Sequence, residues 1–437
     1  MRHVFTKTNK RIEIHQNMTQ YNIQYNIPEM SDGYLIEDLC KMKNLQTRPY
    51  TTRDLPNGST QSPFKEELAI VSHYIHNKRL GIEVNYADDA NNLIQELSSE
   101  LLSMQGMLCE PRAVGTDLFA DFFNVPFLPR EDADFTFIDL FAGIGGFRLA
   151  MQAVGGKCIF SSEFNEPAQK TYFANYGDMP FGDITLEETK RFIPDHFDVL
   201  CAGFPCQAFS IIGKQQGFAD TRGTMFFEIQ KILQKHKPKA IFMENVKQLV
   251  THDKGNTFKV ILGILAELDY HVKWKVLNAL DFGVPQKRER VIIVGFLDKD
   301  KTDQFSFDFE KKSYSLSSIL QKDEDVDKSL FVSDRILQKR IESTRGKNVF
   351  YPSIWHENKA GNISVLDYAC ALRTGASYNY LLVNGYRRPS SRELLRLQGF
   401  PEEFKVVVSH QEIRKQTGNS VAVPMMTEVA KRIKALL

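Results

Sequence analysis

The stretch Phe137-Ile138-Asp139-Leu140-Phe141-Ala142-Gly143-Ile144-Gly145-Gly146 predicts a buried strand, a glycine-rich turn and the start of a helix. Glycines let a backbone approach a ligand closely and place a helix N-terminus beside it. A dinucleotide-binding fingerprint would require another glycine at the position of Arg148. The stretch therefore indicates a strand-turn-helix unit that can bind a ligand, although a tight turn without a ligand would have a similar pattern.

Strands and helices alternate from about residue 135 to about residue 300. The predicted strands are Phe135–Phe141, Cys158–Glu163, Phe197–Phe204, Ala240–Glu244, His271–Leu277 and Val291–Phe296. Helical patterns such as Phe226–Gln234 lie between them. This alternation predicts an α/β fold with a mostly parallel sheet covered on both faces. Such sheets bind ligands at the carboxyl ends of their strands, and we expect every motif below at such an end.

Acidic residues follow the next predicted strands. Glu163 lies about 20 residues after the glycine turn, where a carboxylate can accept both hydroxyls of a ribose. Phe164 can pack on a purine. Asp183, which we expect to end a third strand, can accept a hydrogen bond from an adenine amino group. These residues favour a ligand that contains adenosine and no pyrophosphate over NAD.

Cys206 lies in the stretch Gly203-Phe204-Pro205-Cys206-Gln207, directly after an apolar predicted strand. A thiol placed in a turn that contains proline is typical of a nucleophile, and a reactive thiolate needs a polar or positive setting. Cys201 lies within the strand, and we expect it to be buried and inert.

Glu244 ends the strand that begins at Ala240, and we expect it to face the same pocket as Cys206. A glutamate that is partly withdrawn from water can hold and donate a proton. Arg288 and Arg290 are two residues apart, so on an extended segment they would share a face and together hold an anion or a carbonyl.

The composition is that of a soluble globular protein, with 437 residues of which 42% are hydrophobic and 25% charged. No apolar run approaches the roughly 18 residues of a membrane span, and the N-terminus lacks the apolar core of a secretory signal. The six cysteines show no C-x-x-C spacing, so we expect a reducing cytosol and neither a metal site nor disulfides. The net charge of +1 neither supports nor excludes a nucleic acid partner.

Residues 1–130 form a separate segment with two predicted helices. One carries Leu68, Val71 and Ile75, and the other carries an apolar stripe over 90–104. The segment could be a helical brace, an extra contact for a nucleic acid partner if there is one, or a regulatory module.

Six ordered motifs over residues 135–437 resemble those of bacterial DNA cytosine-5 methyltransferases of restriction–modification systems. They are Phe141–Gly146, Gly203–Gln207, Glu244–Val246, Gln286–Arg290, Arg392-Glu393 with Gln398–Pro401, and Gly418–Val421. The resemblance implies a Rossmann-like S-adenosylmethionine-dependent methyltransferase domain at 131–316 and 411–437. It also implies a target-recognition domain with a hinge at 317–410 and an N-terminal, partly helical extension at 1–130.

The resemblance also implies the roles of individual residues. Cys206 would add to C6 of the cytosine, Glu244 would contact the ring N3 and amino group, and Arg288 and Arg290 would hold the base O2. The residues expected around S-adenosylmethionine are Phe141, Gly143, Ile144, Gly145, Gly146, Glu163, Phe164, Asp183, Ile184, Pro205, Met225, Asn419 and Val421.

Base flipping is expected because the target base cannot be reached inside a duplex. The segment 206–224 resembles the mobile loop that closes over DNA in this family. Its candidate DNA contacts are Gln207, Ser210, Ile212, Lys214 and Arg222. We expect Ile212 to pack into the space that the flipped base vacates, at a position where the family often has a polar residue. Many members also have a Thr-Leu pair in the recognition region, where this chain has Ala371-Leu372.

These inferences predict a monomeric bacterial enzyme of the cytoplasm, associated with the nucleoid, that acts on double-stranded DNA without a membrane or a metal. It would protect host DNA from a cognate restriction endonuclease. A cytosine-5 methyltransferase that acts on tRNA is a second reading, since enzymes of that kind share the Pro-Cys-Gln and Glu-Asn-Val elements. A third is a catalytically silent DNA-binding regulator, against which the intact Cys206 and Glu244 argue.

Overall fold

The computed structural model describes residues 63–104, 122–205 and 225–437. Its strands are β1 (Phe135–Leu140), β2 (Gly156–Ser162), β3 (Val199–Gly203), β4 (Ala240–Val246), β5 (His271–Asn278), β6 (Gln286–Lys287), β7 (Glu289–Phe296), β8 (Ile354–Glu357), β9 (Ile363–Leu366), β10 (Ala369–Cys370) and β11 (Leu381–Val383). Its helices are α1 (Pro63–Arg79), α2 (Ala87–Met104), α3 (Gly146–Gln152), α4 (Glu166–Tyr176), α5 (Glu187–Lys190), α6 (Met225–His236), α7 (Asn256–Glu267), α8 (Lys299–Gln304), α9 (Asp334–Ser343), α10 (Ser391–Arg396), α11 (His410–Asn419) and α12 (Val423–Lys434).

A six-stranded sheet with the order β2-β1-β3-β4-β7-β5 forms the centre of the fold. Strands β1 to β4 are parallel, whereas β7 is antiparallel to β4 and β5. The predicted α/β fold is therefore confirmed. The expectation that every motif lies at a carboxyl end was wrong for Gln286–Arg290, which leads into the amino end of β7. Because β7 runs antiparallel to β4, the amino end of β7 lies on the same side of the sheet as the carboxyl ends of β3 and β4.

One face of the sheet is covered by α3 and α12. Phe137, Phe147, Phe242 and Met425 belong to this buried cluster, and each such side chain contributes about 1.5–3 kcal/mol when fully buried. The end of α12 returns to the start of β1, where Lys434 Nζ lies 3.0 Å from Asp134 Oδ2.

Helix α1 packs against β2 at the edge of the sheet. Its Leu68, Val71 and Ile75 are buried, as the periodicity predicted. The helix thus forms part of the same core as the sheet.

The region after residue 300, where the alternation of predicted strands and helices ends, also contains regular structure. Helix α9 is followed by a small antiparallel sheet with the order β11-β8-β9. Trp355, Ile363 and Leu382 form its buried centre. Strands of three or four residues are too short to show a clear alternation in the sequence.

Candidate active site

The glycine turn after β1 has the backbone that its sequence predicts. Gly143 and Gly145 have φ of +56° and +80°, in the left-handed region that favours glycine. A Cβ on Gly145 would lie 2.4 Å from the Tyr176 ring, and one on Gly146 would lie 2.7 Å from Val421 Cγ2. A side chain at Gly145 would therefore collide with Tyr176, and one at Gly146 would collide with Val421.

Glu163 follows β2 directly and faces the turn. Its Oε2 accepts a hydrogen bond of 2.8 Å from the Gly143 N–H, and its Oε1 accepts one of 2.8 Å from the Asn165 N–H. Burial raises the pKa of Glu163, although the N–H donors of Asn165 and Gly143 oppose that shift. Phe164 beside it is 56% exposed. A carboxylate next to an exposed aromatic ring is an arrangement suited to the ribose and base of an adenosyl group.

Asp183 does not end a third strand, so that prediction was wrong. Phe181 forms only an isolated parallel bridge with Ser162, and Asp183 Oδ1 accepts a hydrogen bond of 2.9 Å from the Thr185 N–H in the turn that follows. Ile184 is buried. The chain still brings both residues to the edge of β2.

Four further predicted cofactor residues differ in exposure. Pro205 and Asn419 are exposed, and Met225, the first residue of α6, is partly buried. Val421 is buried against Gly146 in the main core. Their contact with a cofactor stays a prediction.

Glu244 lies near the end of β4, with its side chain largely buried at 7% exposure. The strand continues to Val246, so the prediction that Glu244 ends it was wrong by two residues. The carboxylate pairs with Arg290, whose Nε lies 2.7 Å from Glu244 Oε1. Gly203 pairs with Glu244 across β3 and β4, and a Cβ on Gly203 would lie 3.9 Å from Glu244 Oε2. The carboxylate is therefore beside the strand end that leads to Cys206.

Asn245 has a role that the sequence analysis missed. Its Nδ2 donates to the Phe204 carbonyl oxygen at 2.9 Å, and its Oδ1 accepts from the Val246 N–H at 2.8 Å. The amide ties β4 to the segment that precedes Cys206. The signal in the sequence was the position of this amide side chain directly after Glu244.

Arg288 and Arg290 do not share a face, contrary to the expectation from their spacing. Arg288 lies between β6 and β7, is almost fully buried, and donates to the carbonyl oxygens of Leu372, Gly418 and Ser420. Burial and the nearby Arg290 lower the pKa of Arg288 to about 9. Arg288 thus joins the sheet edge to two distant segments, whereas Arg290 faces Glu244.

A basic cleft, formed by Arg373, Arg388 and Arg414 around Tyr378, was also missed. The guanidinium carbons of Arg388 and Arg414 lie 4.2 Å and 4.5 Å from the centre of the Tyr378 ring. Within the described part of the chain, none of the three arginines forms an ion pair with a carboxylate. The cleft lies close to Arg288, because Arg373 follows Leu372 directly. The three arginines lie up to 41 positions apart, from Arg373 to Arg414, and so form no local sequence motif.

Cys206, Gln207, Ser210, Ile212, Lys214 and Arg222 lie outside the described residues. Cys201 is described, and it is fully buried as predicted. In the ranges that the structure describes, no helix is long and apolar enough to cross a membrane, and no group of three side chains could hold a metal ion.

Comparison with known proteins gives a consistent result. Residues 135–435 match the model of the C-5 cytosine-specific DNA methylase family. The chain is 56% identical to the type II methyltransferase M.HaeII of Haemophilus aegyptius over 67% of this chain and 91% of that protein. It is 52% identical to M.NgoBI of Neisseria gonorrhoeae over 69% of this chain and 93% of that protein.

A solved structure is similar in fold. The DNMT2 of Spodoptera frugiperda gives a TM-score of 0.52 at 18% identity, over 69% of this chain and 99% of that one.

Proposed function

Because the chain belongs to the C-5 cytosine-specific DNA methylase family, and is a DNA cytosine-5 methyltransferase, we propose that it methylates a cytosine flipped out of duplex DNA. Cytosine C5 is a poor nucleophile. Addition of the Cys206 thiolate to C6 would move an electron pair to C5 and make that carbon reactive.

The described residues fit S-adenosylmethionine, which supplies an electrophilic methyl group when bound. The carboxylate of Glu163, beside the glycine turn, is placed to accept hydrogen bonds from ribose hydroxyls. Phe164 offers an exposed ring for the adenine. Asp183 and Ile184 lie at the edge of β2, as Glu163 does. The other residues predicted around the cofactor would form the rest of its binding site.

The observation that carries the proposal is the position of Glu244 beside Gly203 and Arg290. Glu244 would donate a proton to N3 while the sulfur–C6 bond forms, and Arg290 would hold O2. Once C5 carried the methyl group, solvent water would take the C5 proton, and the sulfur–C6 bond would break with its electron pair leaving on the Cys206 thiolate. The N3 proton would return to Glu244, which releases neutral 5-methylcytosine and restores the acid. Arg288 would keep the site assembled by binding the carbonyls around Leu372, Gly418 and Ser420.

Duplex DNA is the proposed substrate, because the family model that the chain matches is that of a DNA methylase. Among the described residues, the three arginines of the basic cleft have no carboxylate partner, and their charge would suit contacts with phosphates. The domain division proposed is a catalytic domain at 131–316 and 411–437, a recognition domain at 317–410 and an extension at 1–130. The protein would act as a monomer in the bacterial cytoplasm. Its methylation would protect DNA from a restriction endonuclease.

Covalent trapping tests the mechanism. Bisulfite sequencing of DNA from cells that express the chain would first give the target sequence. A duplex with 5-fluorocytosine at that target should then form a stable adduct with the wild-type protein and with Cys201→Ala, but not with Cys206→Ala. An adduct with Cys206→Ala would overturn the assignment of the nucleophile. Methylation of tRNA alone would favour the second reading, and the absence of any adduct would favour the silent regulator.

A further inference from the structure

Helix α1 covers the outer edge of the sheet with polar contacts. Strand β2 is the edge strand, and its Ile159 carbonyl accepts a hydrogen bond of 3.0 Å from Asn77 Nδ2. In the other direction, Lys157 Nζ donates to the His76 carbonyl oxygen at 2.7 Å. A sheet edge needs such cover. The helix that supplies it lies ahead of the family region, which begins at Phe135.

The contact continues from α1 to the helix of the glycine turn. His76 Nδ1 lies 3.2 Å from Asp178 Oδ1, and Arg148 Nη1 lies 2.6 Å from Asp178 Oδ2. All three side chains are buried. A buried guanidinium needs a counter-charge. Burial alone would raise the pKa of Asp178, but the Arg148 guanidinium holds it below its usual value. Burial lowers the pKa of His76 to about 4, so its ring is neutral beside the carboxylate.

Arg148 leads on to the glycine turn through Tyr176. The Arg148 guanidinium carbon lies 4.6 Å from the centre of the Tyr176 ring. The Tyr176 hydroxyl donates to the carbonyl oxygens of Gly145 and Ile144, at 2.9 Å and 3.2 Å. Contacts therefore run without a break from α1 to the backbone of the turn.

We propose that His76 is a positioning residue for S-adenosylmethionine. The buried His76 ring packs against the Asp178 carboxylate at 3.2 Å and so limits where that carboxylate can lie. Asp178 in turn places Arg148 against Tyr176 and so sets the backbone of the Gly145 turn. This inference rests on the proposed cofactor site. It assigns to the N-terminal segment a function in cofactor binding, beyond covering the sheet.

Calorimetric titration of the full chain with S-adenosylmethionine, without DNA, tests the proposal. His76→Ala should raise the Kd about fivefold or more. Ile75→Ala is the matched control, because Ile75 is buried on the same helix and has no polar group. It should lower the Tm and leave the Kd unchanged. His76→Asn, which keeps a polar group near the Nδ1 position and so keeps the contact with Asp178, should restore most of the affinity.

A second variant guards against misfolding of His76→Ala. Tyr176→Phe removes only the hydroxyl that holds the turn and should also raise the Kd. An unchanged Kd in His76→Ala would overturn the proposal, and so would an unchanged Kd in Tyr176→Phe or an equal rise in Ile75→Ala. If the wild-type protein itself did not bind S-adenosylmethionine, the proposed cofactor site would fail, and this inference with it.

Discussion

Asn245 Nδ2 donates a hydrogen bond of 2.9 Å to the carbonyl oxygen of Phe204, two residues ahead of Cys206. Asn245→Ala should therefore lower kcat about 100-fold, because a displacement of about 1 Å in a reacting group has such an effect. Single-turnover methylation at saturating DNA and cofactor would measure it. Asn85→Ala is the control. Asn85 Nδ2 also donates a hydrogen bond to a backbone carbonyl, that of Arg191, but neither residue is among the predicted site residues. Equal rates in Asn245→Ala and the wild type would contradict the role of this bond.

Replacement of Glu244 tests the proton donor. Glu244→Gln should lower kcat by about 10²–10⁴-fold, the contribution that a positioned acid makes. Glu289→Gln changes a carboxylate next to Arg290 that pairs with Lys247 instead, and it should retain activity. Methylation rates of the two variants on the same duplex would separate them. A similar loss in both would indicate a general effect of charge at this edge.

Gly145→Ala should abolish measurable binding of S-adenosylmethionine, since the new Cβ would meet the Tyr176 ring at 2.4 Å. Gly346→Ala is a closely matched control, because Gly346 has the same φ of +80° and open space around it. It should show the backbone strain alone, about 1 kcal/mol of the free energy of unfolding. Calorimetric titration and thermal melting would compare the two. Normal binding by Gly145→Ala would show that the turn can shift without loss.

Asp139 in β1 predicts an unusual dependence of stability on pH. Burial raises its pKa well above the ordinary value, so the folded protein keeps a proton that the unfolded chain loses above about pH 4. The contribution of Asp139 to the free energy of unfolding therefore falls as the pH rises from about 4 toward the raised pKa. The fall is about 1.4 kcal/mol per pH unit. Asp139→Asn stays neutral and should be more stable than the wild type at pH 8, with a smaller difference at pH 5. Urea unfolding at both pH values would measure this, and a constant difference would contradict it.

The sequence predicted the elements that local pattern determines. The apolar run before Phe141 and the glycines after it defined β1, the turn and α3, because each depends on neighbouring residues. The orientation of Arg288 could not be predicted in this way, since its partners lie at Leu372, Gly418 and Ser420. The contact between His76 and Asp178 likewise depends on how α1 packs against the sheet, which no short motif encodes.

The contact between Lys434 and Asp134 has a consequence for how the gene could be rearranged. The first strand of the family region begins beside the point where its last helix ends. Chain ends that lie close together at a surface allow circular permutation. A short linker between them would change the order of the motifs along the chain and preserve their order in space, provided that the segment with α1 stayed attached through one of the new termini, because α1 covers β2. The geometry of the site therefore does not itself require the order in which the motifs follow one another along the chain.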